Sequence, residues 1–157
     1  MTEIISLILI WIHQIATAVW IGGIAFVLFV LIPKAKEVLG QDAGKLIGEA
    51  SGRFKLFADW SIILLIVTGV GLSIIDKEIV NSDLPESNRV LLLVIKHVFV
   101  LMMVLIHLYR NHVLSKKIAN EQNTAYKTKL QKISLNLVKV VFVFALIVLL
   151  LSAGATG

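Results

Sequence analysis

The chemistry open to this chain must come from His, Lys, Trp and carboxylate side chains. His13, Lys96, His97, His107 and Lys139 fall inside long apolar runs, and His112 falls just past one. Ionisable groups are costly in such surroundings, so each is a functional candidate unless a partner or a reach to water explains it. Cysteine is absent, which removes thiolate metal sites, disulfides and thiol redox chemistry. Imidazole suits copper and iron alike, so the histidines are the groups to place.

Depth sorts them. His13 lies about nine residues into its apolar run, ~13 Å at the helical rise, and His97 about seven residues into its own, ~10 Å. If the two runs cross a membrane in the same sense, both imidazoles sit at similar depth. That arrangement suits bis-imidazole ligation of a metal or of a haem between helices, a setting bundle cores offer. The plainer reading is two separate histidines, each bonded to a backbone carbonyl or a hydroxyl. His107 follows about ten residues after His97, ~15 Å deeper, and cannot share the same haem plane. It could serve a second haem, a porphyrin propionate or a proton relay. Met102 and Met103, on its own helix, do not supply the missing partner. Lys96 and His107 are eleven residues apart, about 20° from the same helix face. Lys96 must snorkel to the interface or pair with an anion, for which haem propionates would serve; Lys139 is read as snorkelling.

The elements that must hold these residues are transmembrane helices. Hydrophobic residues make up 58% of the 157 and charged ones 16%, against about half and a quarter in soluble domains. Four runs reach the about 20 residues a hydrocarbon core demands: residues 4–32, 56–75, 90–109 and 133–153. They do not alternate as barrel strands would, and lipid tolerates little else but helices. The expected fold is an all-α, four-transmembrane-helix bundle in a single domain, residues 1–157, its first helix ended by Pro33. Thr2 and Glu3 lead straight into the first run without a basic segment, so it reads as a retained helix rather than a signal peptide.

The connections give the expected orientation. Residues 33–55 carry Lys34, Lys36, Lys45, Arg53 and Lys55, with Val38, Leu39, Leu46 and Ile47 spaced as in an interfacial amphipathic helix. Residues 110–132 carry Arg110, Lys116, Lys117, Lys127, Lys129 and Lys132 against Glu121 alone, with good helix formers and no Pro or Gly to stop the third helix from continuing into them. Asp76 to Arg89 is short and acidic. Basic connections stay cytoplasmic, so the N- and C-termini and the acidic connection are expected outside a multi-pass protein of the cytoplasmic membrane.

Ser6, His13 and Trp20 recur every seven residues in the first helix, with Thr17 nearby and Gly22-Gly23 beyond. Ser61 and Thr68 repeat the spacing in the second, followed by Gly69 and Gly71. Small and hydroxyl residues line helix contacts in membranes, so this stripe points inward and carries His13 with it.

The run from His13 to Trp20 and Gly23, the Gly52-Arg53-Phe54 step, Trp60, Thr68-Gly69-Val70 and the lysine of the third helix resemble the copper-resistance D (CopD-type) membrane domain. The resemblance spans the first three helices and implies copper handling across the membrane, with haem b binding in related four-helix members. More distantly, the His-to-Trp element and Lys96 with His107 are similar to HemJ-type protoporphyrinogen oxidases, in which His13 and Lys96 would be the haem-associated residues. The chain departs from that family at Val30-Leu31-Ile32-Pro33, where a basic and aromatic run would stand.

The leading expectation is therefore a haem b protein for redox or electron transfer, with one or two haems. Its cofactor residues would be His13, His97, His107, Lys96 and Trp20, the metal ligands being His13 and His97. Copper is the alternative cofactor, although three methionines including the initiator and no cysteine give few of the soft ligands copper(I) prefers. A porphyrinogen oxidase and a non-catalytic subunit of a larger membrane complex are the other readings, so whether it is an enzyme stays open. The expected partners are the lipid bilayer, other membrane subunits and a redox partner. Nucleic acid is not expected, since the basic connections lack interleaved aromatics, and Gly22-Gly23 lacks the strand-then-helix setting of a phosphate loop.

Overall fold

A computed structural model describes residues 2–75 and 86–156, with side chains for 2–75 and 91–153. Positions 76–85 of the acidic connection lie outside the described residues. The chain forms two compact units, residues 1–81 and 82–157, and each is helical throughout its described length apart from the step at 121–123.

In the first unit, α1 (Thr2–Phe26) passes through a π-helical turn, Val27–Leu31, into α2 (Ile32–Leu39). After a 3₁₀ turn at Gly40–Asp42, α3 runs from Ala43 to Ile75. Pro33 does not end the first helix as expected. A proline inside a helix lacks a donor and crowds the carbonyl four residues back, and here the widened turn absorbs it: Ile32 N–H bonds to Val27, five residues away. The break comes at Gly40, whose φ of 52° is a left-handed conformation that glycine adopts without a side-chain clash.

The helical stretch Thr2–Ile75 has 74 residues and would reach ~110 Å if straight. It instead folds back at Gly40, so that α3 returns along α1. Leu9 lies against Gly71, His13 against Thr68 and Gly23 against Phe54. Ala16, Trp20 and Ile24 are buried on the same stripe of α1, and Ala58, Ser61, Ile62 and Thr68 are buried on α3. The inward stripe of small and hydroxyl residues is thus a helix–helix seam, as its spacing indicated. Gly23 is what lets the helices close there: a Cβ would overlap the Phe54 ring. Gly22 meets nothing.

In the second unit, α4 (Glu86–Leu108) continues through a π-helical turn, Tyr109–Leu114, into α5 (Ser115–Asn120). The third helix therefore extends well past position 109, since no Pro or Gly interrupts it. Residues 121–123 break the path, and α6 (Thr124–Thr156) returns along α4. The start of α6 is set by Asn123, whose Oδ1 accepts from Ala125 N at 3.0 Å and Tyr126 N at 3.1 Å. This is an N-cap satisfying two of the donors a helix start leaves open. Phe99 and Phe144 meet edge to face, centroids 5.1 Å apart. Met103, His107, Asn111 and Leu114 continue the stripe of Phe99 and are buried.

Among the described residues, three continuous helical stretches are long and apolar enough to cross a membrane: Thr2–Ile75, Leu91–Asn120 and Thr124–Ala153. Exposed large apolar side chains, among them Leu7, Trp11, Phe29, Val67, Leu101 and Leu150, run along every long helix. Water would not tolerate so much apolar surface on a monomer; lipid does, because each backbone group is bonded within its own helix.

Candidate functional site

His13 is the best-supported of the intramembrane polar residues. α3 brings Thr68 to it, 55 positions away in sequence, with Thr68 Oγ1 2.8 Å from the ring Nδ1. Thr68 is itself only 2% exposed. Its hydroxyl donates to the Leu64 carbonyl at 2.6 Å, the back-bond that threonine makes inside helices. The imidazole rests beside Gly69, its Cε1 3.8 Å from where a Cβ would stand. Thr17 Oγ1 donates to the His13 carbonyl at 2.8 Å, so the backbone carrying the imidazole is bonded as well. Thus His13, Thr68 and Gly69 form one constellation, and Trp20 is buried two turns along the same stripe.

The α4 residues divide between faces. His97 is exposed among Leu93, Val94, Val98 and Leu101, all exposed. Its Nδ1–H donates to the Leu93 carbonyl at 2.6 Å. A carbonyl only accepts, so the neutral ring carries its lone pair on Nε2. A nitrogen lone pair set in an apolar face is poorly placed against hydrocarbon and well placed for a ligand.

His107 lies about 80° further round the helix and is buried at 6% exposure. Asn111 Nδ2 donates to its Nε2 at 2.8 Å, and Ser115 Oγ donates to the Asn111 carbonyl. His107 thus sits in a buried ladder along its own helix, and the structure does not place it with His97. Lys96 is half-buried, while Lys139 and His112 are exposed. His13 belongs to the first compact unit; Lys96, His97 and His107 belong to the second.

Two polar residues escaped the sequence reading. Asn111 was outside the expected span, which was ended at position 109, although it follows His107 by one helical turn. Asp59 is a half-buried carboxylate inside the second apolar run, and its charge within 56–75 was the signal that could have marked it. Among the described residues no group of three or more His or carboxylate side chains is placed to hold a metal. Ligation there would have to draw on a smaller imidazole set.

The long apolar helices, their lipid-suited surfaces and the buried polar positions define a multi-pass α-helical membrane protein. The chain matches the family described as copper resistance protein D over residues 48–155, more than half of its length. It belongs to the copper resistance protein D family. The matched segment takes in α4 and nearly all of α6, and leaves the His13-to-Gly23 run outside it. No curated protein and no solved structure matches the chain.

Proposed function

We propose that this chain is a four-span protein of the cytoplasmic membrane that binds copper through intramembrane imidazole, His13 in the first unit and His97 in the second each being a candidate ligand. The observation that carries the reading is the state of His97: its Nδ1–H is committed to the Leu93 carbonyl, which leaves Nε2 as a ligand atom in an apolar surface. Family membership makes copper the first metal to consider, and imidazole suits copper. The hairpin turn at Gly40 supports four crossings, because a stretch of 74 residues is far longer than the about 20 that one crossing needs.

A second reading places a haem b iron on one of these imidazoles. The donor set favours it, because the soft ligands copper(I) prefers are scarce: cysteine is absent and Met103 is buried at 2% exposure. Haem would supply the redox chemistry, and the imidazole would hold its iron. His107 is left out of both readings because its Nε2 is engaged by Asn111.

Purification in detergent separates these readings. Copper bound in proportion to protein and lost in His13→Ala or His97→Ala supports the first. A Soret band lost in either variant supports the second. Retention of copper by both variants, with no Soret band when haem is supplied, would sink the two together.

A further inference from the structure

We propose that Thr68 is a positioning residue: it fixes the tautomer of His13 so that the Nε2 atom, and not Nδ1, is presented to a ligand. This rests on the reading of His13 as a metal ligand and adds which atom binds and what holds it ready.

The assignment follows from three distances around one hydroxyl. Thr68 Oγ1 lies 2.6 Å from the Leu64 carbonyl oxygen, 3.4 Å from that of Leu65 and 2.8 Å from His13 Nδ1. Neither carbonyl carries a hydrogen, so a contact of 2.6 Å between two oxygens requires the hydroxyl hydrogen to lie between them. A threonine hydroxyl has a single hydrogen. With it directed at the backbone, the oxygen can only accept from the ring. His13 Nδ1 is therefore protonated, and the neutral imidazole has its lone pair on Nε2.

The burial of Thr68, 2% exposed, keeps bulk water from replacing the hydroxyl as acceptor. Its β-branched side chain has few rotamers in a helix, and the back-bond to Leu64 holds the one that meets His13. Gly69 lies beside the ring, where a Cβ would stand 3.8 Å from Cε1. This is the arrangement in which a ligating histidine donates its other N–H to a neighbouring acceptor, setting ring orientation and raising basicity at the metal-facing nitrogen. His97 reaches the same tautomer through a backbone carbonyl. Of these two, His13 is the one whose tautomer depends on a replaceable side chain.

The test uses full-length protein in detergent, metal-free and with 15N-labelled histidine, the His13 signals being identified by their loss in His13→Ala. Ring nitrogen shifts should show His13 as the Nδ1–H tautomer in wild type and in Thr68→Ser, which keeps the hydroxyl. Thr68→Val, of similar shape without the oxygen, should show a mixture. In copper(I) titrations against a chromophoric chelator, Thr68→Val should bind about 10–100-fold more weakly, the usual size of such a loss, with Thr68→Ser close to wild type. An Nε2–H tautomer in wild type, or a Thr68→Val protein unchanged in tautomer and affinity, overturns the proposal. If His13→Ala binds copper as wild type does, it is the metal-ligand reading that fails, whatever the tautomer measurement gives.

Discussion

His107 and Asn111 show how two polar side chains can satisfy each other in an apolar seam. Each is 6% exposed, and their bond of 2.8 Å joins neighbours one turn apart on one helix. Removing one partner strands the other in a place water does not reach, and a stranded buried polar group costs about 1–3 kcal/mol. His107→Leu and Asn111→Leu should each lower the thermal midpoint in detergent, while the double variant should lose less than the sum of the two. Additive losses would show that the pair is not coupled. At His13 the logic is the opposite. Its partner Thr68 is on another helix, so the bond joins α1 to α3 as well as setting the ring.

At the scale of the elements, close approach of α1 and α3 depends on Gly23. A Cβ at Gly23 would overlap the Phe54 ring, and forcing extra volume into a packed seam costs about 1–3 kcal/mol. Gly23→Ala should destabilise by an amount of that order, Gly22→Ala should be nearly neutral, and Phe54→Leu should partly rescue Gly23→Ala. Thermal unfolding of the three variants checks this, and equal effects at Gly22 and Gly23 would refute the seam. The start of α6 offers a second test. Asn123→Ala removes an acceptor shared by two amides and should cost about 1 kcal/mol, with faster hydrogen exchange confined to the amides of Ala125 and Tyr126. The helices themselves were legible from apolar run lengths, because a bilayer demands a fixed length of apolar helix. Their ends were less so: α3 begins at Ala43 and α6 at Thr124, not near 56 and 133. Apolar runs mark where lipid is, whereas helix ends follow Gly40 and Asn123. Pro33 misled for a related reason, since its cost in a helix can be met by a π-helical turn instead of a break.

For the whole molecule, the proposed topology makes a simple prediction. The chain has no cysteine, so single cysteines can be introduced against a silent background. Thr2→Cys should react with an impermeant maleimide on intact cells, and Lys117→Cys only after permeabilisation. A tag at the C-terminus should share the side of Thr2, as an even number of crossings requires. Opposite sides for the two ends would exclude four spans.

The sequence by itself determined that this is a helical membrane protein, that a stripe carrying His13 faces inward, and that His13 and His97 are residues to test. Those features follow from composition, run length and helical period, which any lipid-embedded helix must obey. Only the tertiary structure decided the state of each imidazole: His13 bonded to Thr68 across the α1–α3 seam, His97 turned into an apolar surface, and His107 satisfied by Asn111. The bond from His13 to Thr68 depends on which helix faces meet after folding, and no spacing within a single helix encodes that meeting.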